Sequence, residues 1–280
     1  MSVVGGREFS FSDQHFKRLR RFITAHTGIV LSDAKKDLVY GRLSKRVRNQ
    51  FAGSFDAFCD AIDNGDNEER EFLINAITTN LTAFFRENHH FEFLKQQLIP
   101  ELLRQNVSQR RIRIWSAGCS TGEEPYSIAM ALREAVPDIN RWDIKILATD
   151  LDANVIAHGR EGIYSAARIS ELDKERSKKW FQRGTGANNG LVRIKQPLRD
   201  MVVFRRLNLL QPWPMKGPFD AIFCRNVVIY FDKATQSQLF QRYADILVPG
   251  GHLFIGHSES LYKVSNRFAP LGHTVYRQIA

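Results

Sequence analysis

Ala117-Gly118-Cys119-Ser120-Thr121-Gly122 lies between a short apolar run, Ile112 to Trp115, and a helical pattern that opens at Glu124-Pro125 and reaches Leu132. Strand, glycine turn and helix in that order can do chemistry. Glycine lets the backbone approach a ligand, and the helix start offers unpaired N–H groups and the positive end of its dipole. The same arrangement also serves simply to pack a helix on a sheet, so the turn alone decides nothing. About thirty residues further on, Asp150 closes the apolar run Lys145 to Ala148. A carboxylate at the carboxyl end of a strand can accept both hydroxyls of a ribose. Capping the following helix is the other use of such a residue, and Asp152 can fill that role instead.

The turn lacks the Gly-Lys-Ser/Thr ending of a phosphate loop and the Gly-x-Gly-x-x-Gly spacing of a dinucleotide fingerprint. A nucleoside cofactor without phosphates fits it better. Adenosylmethionine is such a molecule, asking for a carboxylate at its ribose and polar groups at its amino-acid end. The cysteines Cys59, Cys119 and Cys224 show no paired spacing, which points to reduced structural thiols and to no metal.

The elements that must position these groups are readable from the pattern. After Arg111, short apolar strands alternate with helices: Met201 to Leu207, Phe219 to Cys224 and, beyond Val248-Pro249-Gly250-Gly251, His252 to Gly256. That alternation predicts a mainly parallel α/β sheet whose strand ends meet at one crevice. Before it, Ser12 caps a helix ending near Gly28, and Ser32 caps a second running from Asp33 to about Gln50. On the second, Val39, Leu43 and Val47 form an apolar stripe flanked by Lys35, Arg42, Lys45 and Arg46. This basic ridge is a candidate surface for an acidic partner, against the ordinary reading of a solvated helix face. Phe55 to Ile77 predicts two short helices around the acidic stretch Asp63 to Glu69, and Phe91 to Leu103 a helix kinked or restarted at Pro100. The expected domains are helical, 1–88, and α/β, 89–280, with an insertion at 162–200 too long for a simple connection. Within it, Arg183 to Ile194 reads as a hairpin with an Asn-Gly turn.

Composition bounds the rest. The 280 residues carry a net charge of +10, which favours an anionic partner without choosing nucleic acid, acidic protein or anionic membrane. No apolar run is long enough to span a bilayer, and Met1 to Phe11 lacks the apolar core of a secretory leader, so the expected location is the cytoplasm.

Three motifs together carry a resemblance: Thr79-Asn80-Leu81-Thr82-Ala83-Phe84-Phe85-Arg86-Glu87, then Trp115 through Ser127, and Phe223-Cys224-Arg225-Asn226-Val227-Val228-Ile229-Tyr230-Phe231-Asp232. With the late Pro-Gly-Gly turn, nearly the whole chain resembles the chemotaxis receptor methyltransferases, the CheR family. The resemblance implies a class I, Rossmann-like methyltransferase sheet with an all-helical N-terminal domain and a small inserted β subdomain. It implies S-adenosyl-L-methionine as cofactor, S-adenosyl-L-homocysteine as product, and methylation of glutamate carboxylates on chemoreceptors. It assigns Asn80, Thr82, Arg86, Glu123, Asp150, Asn208, Leu209, Arg225 and Asn226 to the cofactor. For three of them a plainer role stays open: Thr82 as a helix cap, Arg86 with Glu87 as a surface pair, Asn208 as a strand end.

A carboxylate acceptor is already ionised at neutral pH and needs no base, so the expected work is positioning. Tyr230 and Arg86 are the candidates for placing it, although Tyr230 reads equally as packing beside Phe231. Lys35, Arg42, Lys45 and Arg46 would meet the receptor's acidic helices, and Gly184 and Gly186 in the hairpin loop would help dock a receptor C-terminal peptide. A monomer is expected, with no nucleic acid and no membrane insertion. The competing readings are a nucleic-acid methyltransferase on the basic surface and a non-catalytic sensor of adenosylmethionine. Against the first, Arg225-Asn226-Val227-Val228 stands where amino-methylating DNA enzymes carry Asn/Asp-Pro-Pro-aromatic, and Cys224 has no preceding Pro.

Overall fold

The computed structural model describes residues 7–279, so the first six residues of the segment read for a leader lie outside the described residues. The chain divides into two compact units. One holds the described residues up to Thr79 together with Tyr230–Asp232; the other holds Asn80–Ile229 and the chain from Lys233 onward. The division thus falls at Thr79/Asn80 and not at residue 88. Aromatic packing explains it: Phe84 meets Tyr164 and Phe181 edge-on at centroid separations of 5.1 and 5.3 Å, and Phe85 packs on Phe91.

In the smaller unit, α1 (Asp13–Thr27) begins at Ser12, whose hydroxyl accepts the His15 N–H while the His15 ring accepts the Ser12 N–H, and it ends at Gly28 in the left-handed region. α2 (Lys36–Phe51) starts later than Ser32 predicts, because Asp33–Lys35 forms a tighter turn and Ser32 makes no capping bond. Val39, Leu43 and Val47 are fully buried, as the stripe requires. α3 (Phe55–Asn64) and α4 (Asn67–Ile77) join at left-handed Gly65 and Asp66, whose carboxylate accepts the N–H groups of Glu68 and Glu69.

The basic ridge is partly spent on this packing. The Arg42 guanidinium donates to the carbonyls of Ala76, Ile77 and Thr78, each at 3.0 Å, satisfying the otherwise orphaned C-terminal acceptors of α4. Arg46 grips the buried carboxylate of Glu69 and also donates to Glu68 at 2.5 Å. Lys35 and Lys45 are exposed.

The larger unit opens with α5 (His89–Phe93), which continues through a π turn at Leu94–Leu98 into α6 (Ile99–Gln105). Pro100 lacks an N–H and crowds the preceding turn, and the wider turn accommodates it. Then come β1 (Arg111–Ala117), α7 (Glu123–Ala135), β2 (Asp143–Asp150) and α8 (Ala153–Glu161). The insertion supplies β3 (Ile163–Ser165), α9 (Lys174–Trp180), β4 (Phe181–Arg183), β5 (Leu191–Ile194) and α10 (Gln196–Arg199). The chain closes with β6 (Val202–Arg206), β7 (Phe219–Cys224), α11 (Lys233–Ile246), β8 (Leu247–Ile255), β9 (Phe268–Gly272) and β10 (Val275–Gln278).

Among the described residues the main sheet runs β6-β2-β1-β7-β8-β10-β9, with its first five strands parallel and β10 and β9 antiparallel. β7 is buried at every position, as a strand covered on both faces must be, and Phe223 stacks on Phe254 at 4.1 Å. Chain order reverses across β1, so the carboxyl ends of β1, β2, β6 and β7 open on the crevice where doubly wound sheets take ligands. The Pro-Gly-Gly segment belongs to β8 itself instead of preceding it. The insertion forms a separate antiparallel sheet, β3-β5-β4. Its hairpin turns over residues 184–190, with a 3-10 turn at Gly186–Asn188. Asn189 (φ −58°, ψ 138°) and Gly190 (φ +83°) then take type II geometry and not the tight two-residue turn the Asn-Gly pair predicts. No helix among the described residues is long and apolar enough to cross a membrane.

Because Arg42 closes α4, Arg42→Ala is expected to destabilise the protein by about 1.5–3 kcal/mol, against less than about 0.5 kcal/mol for Lys45→Ala. Urea unfolding of the two variants checks this, and equal effects would contradict the capping role.

Candidate active site

The glycine turn is built by close approach. A Cβ on Gly118, at φ +91°, would lie 2.3 Å from the Val227 side chain, so only glycine lets the turn sit against the loop after β7. The N–H groups of Gly118 and Cys119 donate to the Thr149 carbonyl at 2.8 and 2.9 Å, anchoring the turn to β2. Ser120, itself left-handed at φ +49°, donates its N–H to Asp150 at 2.8 Å. The other Asp150 oxygen accepts the Asp152 N–H at 3.1 Å.

Asp152 caps α8 through the Asn154 N–H at 2.8 Å, so the capping role falls to Asp152 and not to Asp150. Burial raises Asp150 to about 6, with the N–H donors pulling against it. Asn80 joins this group. Its amide donates to Asp152 at 3.0 Å and its carbonyl accepts the Ser120 hydroxyl at 3.3 Å. The end of β6 closes the same edge: the Leu207 N–H donates to the Asp150 carbonyl, Asn208 Oδ1 accepts the Leu210 N–H, and Arg242 and Trp213 hold the Leu209 carbonyl.

Two carboxylates head α7, where the helix dipole favours negative charge. Glu123 is fully buried. One of its oxygens accepts the Thr121 hydroxyl at 2.6 Å; the other has no aligned donor, although Arg168 Nη2 lies 3.3 Å away. Arg168 comes from the inserted subdomain and also donates to the Thr82 carbonyl at 3.1 Å. From the same subdomain, the Tyr164 hydroxyl donates to the Thr121 carbonyl at 2.8 Å.

Arg225, its side chain 2% exposed, lies at the centre of the ionic contacts. Nη1 donates to Glu124 at 3.1 Å; Nη2 donates to the Arg86 carbonyl and lies 3.3 Å from Glu87. Burial raises Glu124 in spite of Arg225. Burial also pulls Glu87 upward, but the hydrogen bond from His257 and the charge of Arg225 outweigh it and hold it at about 2. Burial, then Arg225, push His90 down to about 3. Glu87, His89 and His90 bring three potential ligand atoms within 4.8 Å of one another, and the Arg225 charge beside the same carboxylate opposes a metal cation there.

The larger unit therefore gathers Asn80, Thr82, Arg86, Glu123, Asp150, Asn208, Leu209, Arg225 and Asn226 along the carboxyl edge of the sheet. Thr82 caps no helix, since α5 begins only at His89. Arg86 is no simple surface partner of Glu87: its guanidinium donates to the Leu81 carbonyl at 2.7 Å. Arg225 is an interior link whose Nη1 and Nη2 are engaged, while its buried Nε has no hydrogen-bond partner among the described residues. Tyr230 groups with the smaller unit, where its carbonyl accepts the Val30 N–H at 2.9 Å. Gly184 and Gly186 have plain backbone reasons: a Cβ on the first would lie 2.2 Å from the Asn188 carbonyl oxygen, and the second sits at φ +57°.

Sequence reading missed Glu124, Arg168 and Glu259. Glu259 had a signal, an acidic residue just beyond the end of the last parallel strand, where this class of sheet places ligands.

The polar atoms fit a particular ligand. A buried Glu123 oxygen without an aligned donor, and an Asp150 with one N–H on each oxygen, leave acceptor capacity for ribose hydroxyls and for positive charge. Adenosylmethionine brings both, carrying a sulfonium and an ammonium, and on this sheet that makes the chain a class I adenosylmethionine-dependent methyltransferase.

Comparison with known proteins narrows the class. Residues 14–78 match the CheR methyltransferase all-alpha domain, and residues 80–277 the CheR methyltransferase SAM binding domain, meeting where the two compact units divide. The chain is 44% identical over 276 residues to chemotaxis protein methyltransferase 2 of Pseudomonas aeruginosa, covering 98% of this chain and 96% of that one. It is 43% identical over 270 residues to the chemotaxis protein methyltransferase of Escherichia coli, covering 95% and 91%. A probable chemotaxis protein methyltransferase of Rhizobium etli shares 42% over 258 residues, covering 91% and 96%. The chain belongs to the CheR methyltransferase family.

Adenosylmethionine affinity is expected to fall as pH drops through about 6, where Asp150 takes a proton. A folded-state value above the ordinary 3.8 means that this group opposes folding above about 6 and favours it as pH falls, so the loss differs from acid unfolding. Calorimetric titration from pH 7.5 to 5 checks it, and a flat affinity would remove Asp150 from the binding.

Proposed function

We propose that the protein methylates glutamate side chains on the cytoplasmic helices of bacterial chemoreceptors, giving glutamyl methyl esters. The observation that carries this is identity of 43–44% over nearly the whole chain to proteins named as chemotaxis protein methyltransferases. Adenosylmethionine supplies an electrophilic methyl: a carboxylate oxygen forms the new C–O bond while the C–S electrons pass to sulfur, leaving adenosylhomocysteine.

The protein's part is placement. Asp150 holds the ribose, and Glu123 faces the positive amino-acid end. Asn80, Thr82, Asn208, Leu209 and Asn226 complete the cofactor site through side chains and main chain, and Arg225 frames it from within. Arg86 and Tyr230 orient the incoming carboxylate. Too tight an ion pair would blunt the nucleophile, so Arg86 positions and does not activate. The guanidinium's hold on the Leu81 carbonyl supports a restrained role of that kind.

Receptor docking falls mainly to Lys35 and Lys45, because Arg42 and Arg46 are engaged within the helical unit. A receptor's C-terminal peptide adds as a strand at the edge of β4, which among the described residues pairs only with β5, next to the loop that carries Gly184 and Gly186. The protein works in the cytoplasm as a monomer.

Incubation with methyl-labelled adenosylmethionine and receptor-bearing membranes is expected to label the receptor band, and mild alkali to release the label as methanol. Alkali-stable label would indicate nitrogen or base methylation, and cofactor binding without transfer would indicate a sensor. Either result overturns the proposal.

A further inference from the structure

Beyond the end of β8 the chain turns at Gly256, and Glu259 folds back with only 6% of its surface exposed. Its carboxylate accepts three main-chain N–H groups: Gly256 at 2.6 Å, Asn226 at 2.9 Å and Ile229 at 3.2 Å. Two of these donors lie about thirty residues earlier in the chain, in the loop that follows β7. The loop is strained where it is held. Asn226 stands at φ +58°, a conformation that side chains rarely adopt. A Cβ on Gly256 would lie 2.4 Å from the Asn226 amide nitrogen and 2.8 Å from its main-chain nitrogen, so glycine is needed for the two strand ends to approach.

Burying a carboxylate is unfavourable, and here burial raises its protonation range even against the N–H donors. A local turn would not require such a group. The Glu259 N–H already closes that turn on the Gly256 carbonyl at 2.9 Å, without help from the side chain. The side chain's distinctive contacts run to the other strand's loop, which carries Asn226.

We propose that Glu259 is a positioning residue of the methyltransferase site: it locks the loop from Asn226 to Ile229 in the strained shape that presents Asn226 to the cofactor. This rests on the cofactor role proposed for Asn226, but not on the identity of the methyl acceptor. The Glu259 carboxylate is spent on these main-chain N–H groups, so its effect on the cofactor passes through the loop.

The test uses the full-length protein with Glu259→Gln and Glu259→Asp. Gln keeps the size but turns one acceptor into a donor facing N–H groups; Asp keeps both acceptors on a shorter arm. Glu259→Gln is expected to lower adenosylmethionine affinity about tenfold or more. Asp should restore part of it, and amide hydrogen exchange should quicken at Asn226 and Ile229 ahead of β7. A folded Gln variant with wild-type affinity would overturn the proposal, as would exchange that quickens evenly across the sheet. Should Gln fail to fold, the Asp variant decides: reduced affinity with loop-confined exchange supports the role, and unchanged affinity overturns it. Affinity is read without a receptor, so a failure to methylate receptors leaves this test intact.

Discussion

One buried guanidinium ties the site together. Arg225 leaves the end of β7 and reaches Glu124 at the head of α7, Glu87 and the Arg86 carbonyl in the segment before α5. Three stretches of chain far apart in sequence converge on one charge. A buried arginine needs partners for its charge, and a buried carboxylate likewise; both Nη atoms of Arg225 are engaged, although its Nε and Glu87 Oε2 have no hydrogen-bond partner among the described residues. The same contact holds segment 80–88 to the sheet, which is why that segment belongs structurally to the larger unit.

The carboxyl edge of this sheet gathers acids, with Glu123, Glu124 and Glu259 buried and Asp150 half-buried. Glu123, Glu124, Asp150 and Glu259 all sit near strand ends, and burial raises three of them, Glu124, Asp150 and Glu259. The left-handed residues Ser120 and Asn226 stand in the same loops. Strain and buried charge weaken a fold, and they persist where a ligand uses them. In the proposed reading a positively charged nucleoside cofactor uses Glu123 and Asp150, while Glu124 pairs with Arg225 and Glu259 holds the loop after β7. Lys35 and Lys45 are exposed, and the proposed docking of an acidic receptor helix rests on them.

Much of this was legible in the sequence, for definite reasons. Parallel strands are covered on both faces and run largely apolar, so Ala221 to Cys224 marked β7, and Ile112, Ile114 and Trp115 marked β1 in spite of Arg113. The buried stripe of α2 follows the helical period, and Ser12 and Gly28 mark α1 because caps are local chemistry. What escaped was long-range. Nothing near Arg42 announces that its acceptors are carbonyls 34 to 36 residues away, and Arg225 and Glu124 are 101 residues apart. The Asn-Gly pair promised a tight turn, but the loop enclosing it is longer and settles into another geometry. Nothing in the sequence marks Arg168, which the fold of the insertion brings beside Glu123.

The site depends on Arg225, and a double-mutant cycle in urea reads that dependence directly. Arg225→Met and Glu87→Gln are each expected to cost several kcal/mol, about 3–5 for a broken buried pair, while the double variant costs much less than their sum. Single losses below about 1 kcal/mol, or losses that simply add, would show that this guanidinium is a bystander and contradict the account.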